Sequence, residues 1–383
     1  MTNQVVIVGS GLAGYAVARE LRKLNTEIPI TMLSADHGGF YSKPMLSNAL
    51  SLGKTPASII NSDAAQMSLQ LKIVIRPNCR VVRIEQSRNV LTLASGEEIL
   101  YGQLVLALGA DQIHLPLQGS GVAGILTIND VDDYQTFRDA LQGKKRVCII
   151  GAGLIGCEFA NDLASAGYQV DVIDISVQPL GRLLPAVAGS YIKNKLEAAG
   201  VTFHLNTTVQ NVDQVEKQFG LTLTNGELVE SDLVLSSVGL RPRTQLAEAA
   251  GIQINRGIAV DRFLQTRFPD IFALGDCAEV EGHVLPFVMP IMHAGRALAA
   301  TLAGRPTPVH YPAMPVIIKI PACPTVVSPP DFNVKGEWQV EADENGVIAL
   351  YRDNAGNLLG FALLGAATKE KNNLTSQLPD ILT

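Results

Sequence analysis

Two glycine-rich segments of this chain have the spacing with which dinucleotide-binding proteins hold a pyrophosphate. They are GSGLAG at residues 9–14 and GAGLIG at residues 151–156, and each lies between an apolar run and a helical pattern. In G-x-G-x-x-G, the first glycine allows a tight turn, the second lets the backbone approach the pyrophosphate, and the third lets helix and strand pack closely. The helix N-terminus then faces the phosphates. The candidate contact residues are Gly9, Ser10, Gly11, Leu12, Ala13, Gly14, Gly151, Gly153, Leu154, Ile155 and Gly156.

An acidic side chain is expected at the end of the strand that follows each of these helices, where it accepts hydrogen bonds from a ribose. Asp174 ends the segment YQVDVID of the second copy, and no lysine or arginine follows it before Arg182. A 2′-phosphate would therefore meet a carboxylate without a balancing cation, which favours NADH over NADPH. The first copy, PITMLSAD, has Ser34 where the acid is usual and Asp36 two residues later, so its ribose contact is left open between the two.

Two dinucleotides bound by one chain indicate electron transfer, in which a bound flavin takes hydride from a diffusible nicotinamide. The later sequence agrees with this interpretation. Asp276 follows an apolar strand in TRFPDIFALGDCAEV, and VMPIMHAGRALAATLAG begins a helix with Pro290 in its first turn.

The elements that must position these residues also repeat. NVLTLASGEEILYGQLVLALG and FGLTLTNGELVESDLVLSSVG each predict two alternating strands, a turn with Ser-Gly or Asn-Gly, and then a buried strand. The C-terminal part predicts antiparallel strands with Asn-Gly and Ala-Gly turns, followed by a helix at about residues 366–377. The fold class is therefore α/β, with two Rossmann-like domains and a smaller α+β domain at the C-terminus.

Composition excludes several other classes of protein. The chain has 383 residues, 47% of them hydrophobic, and a mean hydropathy of +0.21, so we expect several domains with substantial cores. No apolar run approaches the length of a membrane span, and the start MTNQVVIVG enters a strand directly, which predicts a cytoplasmic protein. A net charge of −6 offers no basic face for nucleic acid. Five cysteines without a C-x-x-C pair and six scattered histidines predict no metal site.

Taken together, these segments resemble the flavoprotein reductases with two dinucleotide-binding domains, the family of glutathione reductase. The resemblance covers both fingerprints, LVLALGA, VLSSVGLRPRT and IFALGDC. It implies a discontinuous FAD-binding domain at residues 1–111 and 243–311, an NADH-binding domain at 112–242, and a C-terminal domain at 312–383. Within the family, YSKPMLS, GLIGCEFANDL, GLRPRT, FVMP and KIPACPTVVSPP are similar to the members that reduce rubredoxin, a small acidic iron protein, for alkane hydroxylation.

The resemblance also implies roles for single residues. The first fingerprint would hold the FAD pyrophosphate, and Val81 would contact adenine through its main chain. Asp276 would lie beside the ribitol or the pyrophosphate, and Val288 would offer backbone groups to the flavin edge from a helix start whose dipole favours the anionic reduced flavin. The glycines of LVLALGA and VLSSVGLRPRT, Gly109 and Gly239, belong to the same cofactor-binding set.

Lys43 occupies a position of special interest, because the resemblance implies that single-cysteine peroxidases of this family carry a cysteine at or next to it. Without a cysteine thiol beside the flavin, electrons must leave the reduced flavin directly for an external acceptor. We interpret Lys43 as a cation that stabilises reduced flavin, with Pro44 fixing the turn after it; the alternative is a purely structural lysine. Glu158 is its expected partner, at the place where nicotinamide stacks on flavin. Lys319 is a second cation expected near the flavin edge, or else an interface lysine.

The predicted activity is that of an enzyme that takes hydride from NADH and passes single electrons to rubredoxin. The alternatives are an NADH oxidase, an NADH-dependent reductase of flavorubredoxin or of an oxygenase ferredoxin, and a non-enzymatic NADH-sensing flavoprotein. Lys43 and Glu158 are the candidate catalytic residues, although hydride transfer needs stacking and distance rather than an acid or a base. A monomer is expected, since no thiol relay is shared across subunits.

Overall fold

The computed structural model describes residues 3–216, 218–331 and 333–383. Its α-helices, in chain order, are α1 (Leu12–Leu24), α2 (Pro56–Ile59), α3 (Ala64–Leu71), α4 (Val131–Ala140), α5 (Leu154–Ser165), α6 (Ala186–Ala198), α7 (Gln245–Ala249), α8 (Val288–Leu302) and α9 (Lys371–Thr375). Short 3₁₀ helices lie at Lys43–Asn48, Val122–Gly124, Gly275–Cys277 and Ala366–Glu370.

The strands, in chain order, are β1 (Val5–Val8), β2 (Ile30–Leu33), β3 (Phe40–Tyr41), β4 (Ile60–Ser62), β5 (Val74–Arg76), β6 (Val81–Glu85), β7 (Val90–Leu93), β8 (Glu98–Leu100), β9 (Gln103–Leu106), β10 (Ala110–Gln112), β11 (Arg146–Ile150), β12 (Gln169–Asp174), β13 (Val201–Leu205), β14 (Val209–Val215), β15 (Gln218–Leu223), β16 (Leu228–Ser231), β17 (Leu233–Ser236), β18 (Leu240–Pro242), β19 (Ile258–Val260), β20 (Ile271–Ala273), β21 (Ala278–Val280), β22 (Val316–Ile318), β23 (Thr325–Ser328), β24 (Glu337–Ala342), β25 (Gly346–Arg352) and β26 (Leu358–Gly365).

The first sheet is parallel and has the order β20-β9-β1-β2-β5. Strands β1 and β2 are buried along their whole length, which is typical of a parallel sheet covered on both faces. Helices α1 and α8 pack against each other beside it. A Cβ atom at Gly295 would lie 3.0 Å from the Cβ atom of Ala16, so glycine permits their close approach. Strand β20 thus returns a late segment of the chain to the N-terminal sheet.

The second sheet repeats this plan with the order β13-β12-β11-β17, again parallel. Each parallel sheet is accompanied by a three-stranded antiparallel sheet, β6-β7-β8 in the first copy and β14-β15-β16 in the second. These are the two hairpin segments that the sequence predicts, and both precede a buried strand. The predicted internal repeat is therefore present in the fold, and the predicted α/β class is confirmed.

The chain passes between the two sheets along an antiparallel pair, β10 with β18. Gly109 and Gly239 lie just outside the two ends of this pair: the carbonyl of Gly109 accepts from Arg243 N at 3.0 Å, and that of Gly239 accepts from Ile113 N at 3.0 Å. Both glycines have positive φ angles, 73° and 121°. This crossing is consistent with the domain bounds 1–111, 112–242, 243–311 and 312–383, which we retain as a proposal.

The C-terminal part forms an antiparallel sheet with the order β22-β23-β26-β25-β24. Asn345 and Gly346 lie at the β24–β25 turn and Ala355 and Gly356 at the β25–β26 turn, as predicted. The expected final helix consists of the 3₁₀ segment Ala366–Glu370 followed by α9. In the described ranges, no helix combines the length and the apolar character that crossing a membrane requires.

Candidate functional site

The first fingerprint forms a tight turn that only glycine fits. Gly9 has φ of 115°, and a Cβ atom there would lie 2.1 Å from the carbonyl oxygen of Ala107. A Cβ atom at Gly14 would lie 2.0 Å from the carbonyl oxygen of Gly9. Gly11, in contrast, faces open space, and α1 begins there with no side-chain cap and no acid in its first turn. The backbone N–H groups of this helix start are thus available to a phosphate, as an FAD pyrophosphate requires.

A polar cluster lies beside this loop, at the end of β2. Ser34 is 1% exposed and lies 2.5 Å from Ser10, measured between their Oγ atoms. Both hydroxyls donate to Oδ1 of Asp36, which also accepts from Gly38 N at 2.8 Å. The buried serine is thereby engaged in holding the half-buried carboxylate. We therefore propose Asp36, rather than Ser34, for the ribose contact.

The second fingerprint has the same geometry. A Cβ atom at Gly156 would lie 1.9 Å from the carbonyl oxygen of Gly151, whereas Gly153 again faces open space at an uncapped helix start, that of α5. Asp174 ends β12 and supports the loop directly, because its Oδ2 accepts from Ala152 N at 2.6 Å and its Oδ1 from Ser176 N at 2.7 Å. Leu154 and Ile155 form the first turn of α5. These residues fit a second pyrophosphate, and we retain them as the proposed NADH site.

Gly153 offers a direct test of this site. The residue has φ of −72° and ψ of −172°, angles that alanine adopts freely, so Gly153→Ala should fold normally. Its methyl group would occupy the approach of the pyrophosphate, and we expect NADH binding to weaken by about tenfold or more. Titration of NADH measures this, with FAD content and thermal midpoint unchanged. The equivalent Gly11→Ala should instead lower FAD content, and wild-type NADH affinity in Gly153→Ala would contradict the assignment.

Lys43 begins the 3₁₀ helix Lys43–Asn48, with Pro44 in its first turn. Its Nζ donates to Oδ1 of Asn129 at 2.6 Å. Burial lowers the pKa of Lys43, while Asp276 is the main charge that raises it. Burial likewise raises the pKa of Asp276, and Lys43 acts against this shift. Each charge therefore supports the other in a place that water reaches poorly.

The expected pairing of Lys43 with Glu158 is wrong. Glu158 is 1% exposed and forms an ion pair with Lys319 instead, its Oε2 accepting from Lys319 Nζ. Its Oε2 also accepts from Ser47 Oγ at 2.5 Å, and its Oε1 accepts from Lys319 N at 2.8 Å. Three donors, one of them a lysine ammonium, thus satisfy the buried carboxylate. Lys319 therefore contacts α5 through both its backbone and its side chain, and its expected place near the flavin edge stays a prediction.

Helix α5 carries two further buried polar side chains that reach other parts of the chain. Asn161 Oδ1 accepts from Ala322 N at 3.2 Å. Asp162 accepts from Leu50 N at 3.0 Å and from Ser51 N at 2.9 Å. With Glu158, these residues attach one helix of the second sheet both to the segment after Lys43 and to the C-terminal part.

Two further predicted residues, Val81 and Val288, each begin a secondary-structure element. Val81 begins β6, two residues after Cys79, whose N–H donates to the carbonyl of Ser34 at 2.6 Å. Val288 begins α8 and is 40% exposed. Sequence reasoning missed Ser47 and Asn129, the partners of Glu158 and Lys43. Ser47 lies within the YSKPMLS segment, but no sequence signal identifies Asn129.

The cysteines do not form a redox pair. All five are free, and four of them are buried. Burial raises the pKa of Cys277 to about 11 and raises the pKa of Cys148 and Cys157 as well. Cys277 lies next to Asp276, but its thiol donates to the carbonyls of Leu106 and Leu274. Such thiols are poor nucleophiles and pack as small apolar groups.

Paired fingerprint loops with uncapped helix starts, together with acids at the strand ends, define a protein that binds two dinucleotides. The chain belongs to the pyridine nucleotide-disulphide oxidoreductase family, which matches residues 3–301. Residues 308–378 match the rubredoxin binding C-terminal domain. The predicted family is therefore confirmed.

Individual proteins and solved structures are similar to this chain over nearly its whole length. Rubredoxin-NAD(+) reductase of Acinetobacter baylyi is 47% identical and covers 99% of this chain and 98% of its own. Nitric oxide reductase FlRd-NAD(+) reductase of Aeromonas salmonicida is 38% identical, covering 99% and 97%. Ferredoxin reductase for the CYP199A2 system from Rhodopseudomonas palustris has a TM-score of 0.89 at 28% identity, covering 99% and 96%. NADH:rubredoxin oxidoreductase from Clostridium acetobutylicum shares the fold, with a TM-score of 0.81 at 23% identity, covering 98% and 96%.

Proposed function

We propose that this protein takes hydride from NADH onto bound FAD and passes the electrons singly to rubredoxin. The observation that carries the proposal is the C-terminal match to a rubredoxin binding domain, joined to a two-dinucleotide reductase whose five cysteines are all free and mostly buried. The 47% identity to rubredoxin-NAD(+) reductase over the whole chain supports the same acceptor. A bound flavin supplies a ring that takes up two electrons with a hydride and releases them one at a time.

Separate groups of residues hold the two cofactors and supply the charges around them. The open start of α1 and Asp36 hold the FAD, while the open start of α5 and Asp174 hold NADH. Lys43 supplies a positive charge close to Asp276, in a place where burial strengthens electrostatic interactions. Glu158 lies at the meeting point of α5, the Lys43–Asn48 segment and the C-terminal part, where Lys319 and Ser47 fix its carboxylate. These roles orient the two cofactors without proton transfer by the protein.

Acceptor preference tests the proposal. Purified protein with FAD and NADH should reduce rubredoxin much faster than a [2Fe-2S] ferredoxin or oxygen, measured from the acceptor's absorbance. Faster reduction of ferredoxin would favour an oxygenase reductase, and rapid oxygen consumption an NADH oxidase. A long-lived reduced form that no one-electron acceptor reoxidises would favour an NADH sensor.

A second candidate acceptor is a flavorubredoxin. The 38% identity to nitric oxide reductase FlRd-NAD(+) reductase of Aeromonas salmonicida favours it, although the higher identity to rubredoxin-NAD(+) reductases favours free rubredoxin. We place the pathway in alkane hydroxylation and the protein in the cytoplasm, where free cysteines stay reduced. A rubredoxin or alkane hydroxylase gene beside this one would support the pathway, and a flavorubredoxin gene would contradict it.

Salt should slow the reaction with rubredoxin. The protein has a net charge of −6 and rubredoxins are acidic, so a productive encounter depends on local cations such as the exposed Arg296 on α8. Salt screens these charges over about 8–10 Å at physiological concentrations, and the second-order rate should fall by about tenfold as salt rises from low to high. Flavin reduction by NADH is the control and should change less. Equal rubredoxin rates at both ionic strengths would exclude electrostatic steering.

A further inference from the structure

Asn129 uses all of its side-chain polar atoms in contacts with two different segments. Its Oδ1 accepts from Lys43 Nζ at 2.6 Å, and its Nδ2 donates to the carbonyl of Ala110 at 2.9 Å. A lysine ammonium only donates and a carbonyl only accepts, so the amide has one possible orientation. Its backbone N–H donates to Asp133 Oδ2 at 2.8 Å.

The surroundings of Asn129 make it a rigid support. It lies between the strand β10, which crosses between the sheets, and α4, whose N-cap Asp130 accepts from Asp133 N at 2.8 Å. Lysine, in contrast, has a long flexible side chain, and fixing it lowers its conformational entropy. An acceptor that is itself anchored by two hydrogen bonds, to Ala110 and Asp133, restricts the ammonium to one place.

The chemical type of the acceptor matters as much as its position. An amide oxygen accepts from an ammonium without cancelling its charge, whereas a carboxylate at the same distance would neutralise it. Asp276 already acts on Lys43 as the main opposing charge. A carboxylate in place of this amide would add a further negative charge, in direct contact with the ammonium, and would weaken the positive potential that a bound flavin experiences.

We propose that Asn129 is a positioning residue that holds the Lys43 ammonium at the flavin site without neutralising it. This inference rests on the proposed function, because Lys43 acts there on bound FAD. The connection between β10 and α4 would thereby contribute to the midpoint potential of the flavin.

The test uses the full-length protein loaded with FAD, with the variants Asn129→Leu, Asn129→Asp, Lys43→Met and Lys43→Met combined with Asn129→Leu. Single-turnover reduction by NADH and the flavin midpoint potential are measured. Asn129→Leu should slow reduction by about five- to tenfold, the effect of one lost ordinary hydrogen bond, because the lysine keeps its charge and loses only its anchor. Asn129→Asp should move the midpoint potential to more negative values. In the Lys43→Met background, Asn129→Leu should change neither quantity further.

Gln112→Met is the matched control, because Gln112 Nε2 donates to the carbonyl of Ile128 at 2.6 Å and so supports the same connection without touching Lys43. It should leave the potential unchanged. Equal effects of Asn129→Leu with and without Lys43, or a potential shift in Gln112→Met matching that in Asn129→Leu, would overturn the proposal. If Asn129→Leu does not fold, Asn129→Asp decides alone: an unchanged potential overturns the proposal. Reduction of rubredoxin by the unmodified protein tests the proposed function separately, because the potentials are measured without an acceptor.

Discussion

Replacement of Lys43 by methionine is expected to slow reduction of the bound FAD by NADH by about tenfold to a hundredfold, somewhat less than the loss of a directly donating oxyanion-hole group. The reason is electrostatic. Lys43 is a half-buried cation whose main opposing charge is Asp276, and methionine keeps much of the volume while removing the charge. A bound flavin that gains negative charge on reduction would lose its stabilisation. Stopped-flow measurement of flavin absorbance reports the rate.

The same change should affect Asp276. Burial already raises the pKa of this carboxyl group, and Lys43 opposes the shift. Without the lysine, the pKa rises further, so that Asp276 takes up its proton at a higher pH than in the unmodified protein. The acid limb of the rate profile should therefore move to higher pH. Lys23→Met is the control, because the Lys23 side chain is 67% exposed on α1 and pairs with Glu20. Wild-type rate, potential and pH profile in Lys43→Met would make Lys43 a structural lysine.

Replacement of Lys319 by methionine is expected to have the largest effect on stability. Glu158, whose side chain is 1% exposed, would keep the hydrogen bonds from Ser47 and from the backbone N–H of residue 319 but would lose the opposing charge. An unpaired buried charge destabilises by about 3–5 kcal/mol, and the 28% exposure of Lys319 places this pair near the lower value. For a chain of this size, we expect the thermal midpoint to fall by about 5 °C. Thermal unfolding of the FAD-loaded protein measures it.

Glu158→Gln in the same chain is the matched rescue. Glutamine still accepts from Lys319 N and removes the unpaired charge, so the double variant should regain most of the lost thermal midpoint. A double variant as unstable as Lys319→Met would show that the lysine stabilises through packing of its methylene groups rather than through its charge.

The fingerprints and hairpins follow from the sequence because their determinants are local. Gly14 meets the carbonyl of Gly9 within its own strand–turn–helix unit, so glycine spacing predicts this geometry, whereas the contact of Gly9 with Ala107 depends on the pairing of β1 with β9. The long-range contacts of the charged side chains do not follow from the sequence. Glu158 and Lys319 are 161 residues apart, and Lys43 and Asn129 are 86 apart. Which cation reaches which carboxylate depends on how the C-terminal sheet packs on α5, and no local pattern contains that information.

The contacts of helix α5 limit how the choice of electron acceptor can change during evolution. Its buried side chains Glu158 and Asn161 accept hydrogen bonds from the backbone N–H groups of Lys319 and Ala322. Deleting or exchanging the whole C-terminal part would therefore leave both side chains buried without these donors, which is unfavourable. Substitutions on the solvent-facing side of the C-terminal part can therefore change the specificity toward another redox protein without breaking these hydrogen bonds. The outer face can vary while the inner contacts stay the same.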